Sequence, residues 1–224
     1  MFHAIGDSHV RIFKFLNKTG LLKTKFNICS VTGATNIGLS SKESKSGANR
    51  IFESYLNEKV NFGDNVVFMC GEGDCGYVIW TRMEKYKTSI KEQFDISLKN
   101  YFELIESFYK KTRSKIIVCD TPYPTLRTGD RNGEVANIRF DIGKRYTQEE
   151  RTKLTFEYND KIKEFCFNKG FQHLDYRKEI INLKTGLIFD KFRNKTKPYD
   201  HHYEDIEFAM ILSSKLNGID IRNR

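Results

Sequence analysis

Five short apolar runs punctuate the chain at residues 2–5, 26–31, 65–70, 115–119 and 171–174, each of strand length and each stopping at small, polar or acidic residues. The stops read Gly6-Asp7-Ser8-His9, Thr32-Gly33-Ala34-Thr35-Asn36, Gly71-Glu72-Gly73-Asp74, Asp120-Thr121-Pro122 and Asp175. Between the runs, apolar residues recur at helical spacing over 10–16, 47–58, 89–110 and 148–168, and Thr147-x-x-Glu150 supplies a capping box for the last of these. A terminal helix is predicted after Glu204, where acidic residues at the start favour the helix dipole. Strands alternating with helices predict an α/β fold: a three-layer, doubly wound, mainly five-stranded parallel sheet with helices on both faces, of flavodoxin-like type. All the strand-end loops then gather on one edge. Residues 123–145 are polar, Gly-rich and long for a simple connection, which predicts a functional lid or a mobile loop, and 177–197 predict a short hairpin or helix around the apolar Gly186-Leu187-Ile188-Phe189.

Composition narrows the class of protein. No linker, repeat or low-complexity tract divides the 224 residues, and a single domain over 1–224 is expected. The formal charge of +9 comes from lysines scattered beside glutamates on the expected helix faces, so a solvated surface is expected and no specific nucleic-acid partner. Five cysteines (29, 70, 75, 119 and 166) form no C-x-x-C pair and sit in or beside apolar runs, as reduced buried thiols do. No signal-peptide pattern or bilayer-length apolar stretch occurs, which predicts a cytoplasmic protein without a membrane span.

Candidate chemistry starts at Ser8. At the end of the first strand and the start of a helix, its hydroxyl faces the crevice in which open α/β sheets bind ligands. The residues leave two readings open, a nucleophile helped by the helix dipole and its own N–H, or a helix cap. Asp200-His201-His202, just ahead of the last helix, can bring a carboxylate and two imidazoles to the same edge. Asp7 fits a turn-forming role, and His3 and His173 fit packed strand positions. Arg82, with Trp80 and Tyr77 nearby, is a candidate clamp for a polar substrate, or these aromatics are core.

Taken in order, Gly-Asp-Ser at residues 6–8, the Gly-rich turn at Gly33, Gly-x-x-Asp at 71–74 and Asp-with-His at 200–202 resemble the blocks of the GDSL or SGNH hydrolase family, over nearly the whole chain. The resemblance implies that Ser8 attacks an ester carbonyl, that His202 is the base with Asp200 orienting it, and that the N–H groups of Ser8 and Gly33 hold the oxyanion. His201 remains an alternative base. Gly73 stands where the family has an asparagine, so either the Gly73 N–H or Asn36 completes the oxyanion hole. The third block, Gly71-Glu72-Gly73-Asp74-Cys75, matches a Gly-Glu-x-Asp-Cys variant in which Glu72 contacts substrate or supports the site, and Asp74 contacts substrate or ties loops. Asp200 lies two residues before His202 where the family has three, and Tyr199 occupies that position, so an Asp200–His202 pair requires a local turn. The activity implied is a serine hydrolase releasing small acyl groups, acetyl above all, from a carbohydrate or other polar ester, with no cofactor and no metal. The alternatives are an O-acyltransferase of the same fold, a metallophosphoesterase using Asp7 and His9 with Asp74, His201 and His202, and a catalytically silent binding protein.

Overall fold

Apolar residues at successive strand positions point to both sides and leave a sheet with two faces to cover. Val66, Phe68, Ile116 and Val118 pack on one side, and Val67, Met69, Ile117 and Cys119 on the other. In the computed structural model, which describes residues 1–41, 44–128, 144–197 and 199–219, the strands are β1 (Phe2–Gly6), β2 (Asn27–Ser30), β3 (Asn65–Met69), β4 (Lys115–Cys119) and β5 (Gln172–Leu174). All pair parallel in the order β2-β1-β3-β4-β5. The first face is covered by α2 (Ala48–Lys59), α4 (Ile90–Thr112) and α5 (Gln148–Lys169) through Phe52, Tyr101, Ile105, Phe108, Tyr158 and Ile162. The second is covered by α1 (Ile12–Thr19) and the C-terminal α7 (Asp205–Gly218) through Phe13, Leu16, Phe208, Leu212 and Leu216. This is the expected three-layer α/β architecture.

The topology decides where a ligand can sit. The chain leaves β1 for β2 on one side and returns past β1 to β3 on the other, so a crevice opens between the carboxyl ends of β1 and β3. The two strand ends approach closely there. A Cβ on Gly6 would lie 1.7 Å from the Met69 carbonyl oxygen, so only glycine fits at the last position of β1.

Two regions differ from expectation. After β3 the chain forms a wide π-type turn over Asp74–Val78 and then α3 (Ile79–Tyr86), a helix hidden in the sequence because Gly71, Gly73 and Gly76 interrupt the pattern that precedes it. Residues 177–197 hold a one-turn α6 (Arg177–Ile180) and a hairpin of β6 (Ile181–Asn182) with β7 (Leu187–Ile188), so both expected forms occur in sequence. Of the stretch expected to form a lid, residues 129–143 lie outside the described residues, while Tyr123 and Leu126 at its start are buried. Among the described residues, no helix is long and apolar enough to cross a membrane.

Candidate active site

Two Asp-x-His tripeptides from opposite ends of the chain fold in the same way and meet over the β1–β3 crevice. In the first, Asp7 Oδ1 accepts the backbone N–H of His9 at 2.9 Å and lies 3.1 Å from its Nδ1. In the second, Asp200 Oδ1 accepts the backbone N–H of His202 at 3.0 Å and lies 2.6 Å from its Nδ1. Each is an Asx-type turn, in which the aspartate side chain closes onto the amide two residues on. This turn is the physical answer to the short spacing of the last block: folded back in this manner, a carboxylate at position i−2 reaches the imidazole of residue i. The two histidine rings lie 4.6 Å apart, centroid to centroid.

Ser8 stands between the two turns, and its Oγ lies 2.8 Å from His202 Nε2. A carboxylate can only accept, so the Asp200 contact puts the proton of His202 on Nδ1 and leaves the Nε2 lone pair facing the serine hydroxyl. Burial alone would push the Asp200 carboxyl up, but the hydrogen bonds from the His202 ring and backbone and the charge of that ring outweigh it, and the group is held down to about 2. The same contest at fully buried Asp7 is decided by His9 and by the N–H groups of His9 and Gly71, which hold this carboxyl below the usual range. Asp7 Oδ2 accepts the Gly71 N–H at 3.1 Å, tying the turn after β1 to the turn after β3. Both Asp7 oxygens are thus engaged in tying these turns together.

Two cavities open on either side of Ser8. The smaller, about 180 Å³, is lined by Gly33, Thr35, Glu72, Gly73, Tyr77 and His201. The larger, about 320 Å³, is bounded by Arg11, Lys14 and Lys18 on the same face of the first helical segments and by Asp200, His202 and Asp205 opposite. Gly33, Gly73 and Glu72 are thus beside Ser8, and Gly33 holds a left-handed φ of 73°. His201 lies on the small-cavity side with its Nε2 3.8 Å from Glu72 Oε2, whereas His202 Nε2 faces Ser8 Oγ.

Three expected site residues are elsewhere. Asn36 turns inward, donating from Nδ2 to the Tyr158 hydroxyl at 2.9 Å, and lines neither cavity. Asp74 is fully buried and accepts from the backbone N–H groups of Asn36 (2.7 Å) and Ile37 (2.9 Å) and from Ser97 Oγ (2.9 Å), so it fastens loops and does not meet substrate. Burial pushes its carboxyl up to about 6 against those donors. Arg82 donates to Gln93 Oε1 at 2.8 Å and stacks over Tyr86, and Trp80 is core, so this pair forms no clamp at the crevice. His3 and His173 are packed against Asp64 and Asp120, as strand histidines usually are. The basic wall of the larger cavity belongs to no motif of the sequence, and its only local signal is the i, i+3, i+7 spacing of Arg11, Lys14 and Lys18 just beyond Ser8.

No protein-family model matches the sequence, and no curated protein does. Solved structures do resemble it across 97% of its length. They include a GDSL-like lipase from Bacteroides thetaiotaomicron (TM-score 0.57, 12% identity, 85% of that chain covered) and phospholipase A1 from Streptomyces albidoflavus (0.55, 11%, 98%). An extracellular lipase from Streptomyces rimosus also matches (0.53, 10%, 98%). The chain therefore has the α/β fold of the GDSL/SGNH hydrolases.

Proposed function

We propose that this chain, built on the fold of the GDSL/SGNH hydrolases, is a serine esterase that removes short acyl groups, acetyl above all, from a polar alcohol such as a carbohydrate. The observation that carries the proposal is the Ser8–His202–Asp200 relay, with contacts of 2.8 and 2.6 Å between residues that are far apart in sequence. A serine hydroxyl is a poor nucleophile until an imidazole takes its proton, and the carboxylate fixes the imidazole in the accepting tautomer. In this reading Ser8 Oγ attacks the ester carbonyl carbon while His202 Nε2 takes the proton. His202 then returns that proton to the departing alcohol as the ester C–O bond breaks, and water repeats the sequence on the acyl-serine. The N–H groups of Ser8, Gly33 and Gly73 are the candidate donors to the oxyanion.

The cavities support the substrate class. A volume of about 180 Å³ walled by Ala34, Thr35, Glu72, Tyr77 and Val78 is small, which suits an acetyl group better than a fatty chain. The larger, basic cavity suits the polar alcohol portion. Five buried free cysteines fit a reducing, cytoplasmic setting. The formed relay favours a serine esterase over a silent binding protein or a metallophosphoesterase, since neither of these needs an imidazole against a serine hydroxyl. Water as the acceptor distinguishes the hydrolase from an acyltransferase.

The test is hydrolysis of 4-nitrophenyl acetate, butyrate and octanoate together with labelling by a fluorophosphonate probe. The expected result is labelling at Ser8, acetate preferred over octanoate by tenfold or more in kcat/KM, and loss of about 10³-fold or more in Ser8→Ala. Turnover and labelling that survive Ser8→Ala would overturn the reading.

A further inference from the structure

Three imidazoles crowd the mouth of the relay, far more than proton transfer from one serine requires. His9 and His202 are 4.6 Å apart between ring centroids, His201 and His202 4.1 Å, and His9 and His201 5.3 Å. One ring nitrogen from each lies within 4.8 Å of the others. We propose that His9, His201 and His202 form a site for a zinc-like divalent cation that switches the enzyme off.

The chemistry of the donor set carries the proposal. Zinc takes imidazole nitrogens at about 2.0–2.1 Å in a tetrahedral array, with the nitrogens then about 3.4 Å apart, and small ring rotations bring a set spaced within 4.8 Å to that separation. Histidine ligands commonly donate their other ring N–H to a carboxylate, which fixes the tautomer and raises the basicity of the ligating nitrogen. That second layer is already built here. Asp7 Oδ1 lies 3.1 Å from His9 Nδ1 and Asp200 Oδ1 lies 2.6 Å from His202 Nδ1, which directs both Nε2 lone pairs away from the carboxylates. Glu72 Oε2 and Asp200 Oδ1 each stand 3.8 Å from a nitrogen of His201. Three buried or half-buried carboxylates, Asp7, Glu72 and Asp200, surround the three imidazoles and make the pocket electrostatically attractive to a cation.

Binding and catalysis are then mutually exclusive. His202 Nε2 has one lone pair, and the contact with Ser8 Oγ at 2.8 Å uses it to accept the serine proton. A cation on the same nitrogen takes that lone pair, so Ser8 loses its base while the fold is unchanged. The cation is an inhibitor and not a cofactor. Its binding stands on the three side chains alone, while its effect on turnover rests on the esterase reading.

The experiment titrates the purified full chain with Zn²⁺ in a non-chelating buffer, following heat of binding and 4-nitrophenyl acetate turnover, and repeats the titration with Co²⁺ for its visible spectrum. One cation per chain is expected, with turnover lowered tenfold or more at saturation and restored by a chelator. The Co²⁺ spectrum should be that of a four- or five-coordinate nitrogen and oxygen site. His201→Asn should bind zinc about tenfold more weakly or worse, whereas Ser8→Ala, which keeps all three rings, should bind within a fewfold of the native protein. Absence of saturable binding, equal affinity in His201→Asn, or thiolate-to-cobalt charge transfer pointing to the cysteines would overturn the proposal. A protein that binds zinc through these histidines but hydrolyses no ester and resists the fluorophosphonate leaves the metal site standing and removes the esterase reading.

Discussion

At the residue scale, the site is controlled by two aspartates whose side chains curl onto the histidine two positions on. Asp200 both orients His202 and fixes its tautomer, so Asp200→Asn, which can offer an N–H in place of an acceptor, is expected to lower kcat for 4-nitrophenyl acetate by about 10²–10⁴-fold with KM little changed. The same residue sets an acid limit on stability. Its folded carboxyl is held at about 2, below the ordinary unfolded value of about 3.9, so folding favours the ionised form. That contribution is full above about pH 4 and is lost as pH falls through 2. Urea melts between pH 4 and 2 should therefore show a shallower acid destabilisation in Asp200→Asn than in the native protein. An equal slope would mean that the Asp200–His202 contact is not maintained in solution.

At the scale of elements, the turns that follow β1, β2 and β3 are fastened to one another, and this fixes the cavity walls. Asp7 joins the first to the third through the Gly71 N–H, and Asp74 joins the third to the second through the N–H groups of Asn36 and Ile37, with Ser97 of α4 beneath. Asp74→Ala would leave three buried donors without their acceptor. Each orphaned group costs about 1–3 kcal/mol, so the variant is expected to lose more than about 3 kcal/mol in chemical denaturation. If the variant instead melts like the native protein but acts poorly on substrate, Asp74 belongs to the substrate contacts after all. Tyr77 of the adjoining π-type turn lines the small cavity, while Trp80 of α3 donates from Nε1 back to the Cys75 carbonyl of that turn at 2.7 Å.

For the whole molecule, the relay exists only because α1 and α7 share one apolar face of the sheet, which brings Ser8 and His202 together across 194 positions. Leu212, fully buried in α7, helps to hold that packing, and Leu212→Ala is expected to cost about 2–5 kcal/mol. Trp80, the single tryptophan, lies in the cluster on the opposite face and reports on it independently. Loss of esterase activity and of Trp80 fluorescence should coincide in urea if the two faces unfold together, and separated midpoints would show that they do not. The sequence by itself determined the sheet, its five strands and its five covering helices, because apolar runs and helical spacing are local signals that tertiary contacts reinforce. It also determined that Ser8, Gly33, Glu72, Gly73 and the 200–202 block belong to strand ends or loops on one edge, since chain order in an alternating α/β pattern fixes which ends face the crevice. Only the tertiary structure decided which polar side chains point into that crevice: Asn36 and Asp74 are buried and Arg82 half-buried, and each is bonded to its neighbours instead. It alone also set His202 Nε2 against Ser8 Oγ and let a carboxylate two residues away reach that ring, because an Asx turn is a matter of side-chain torsion.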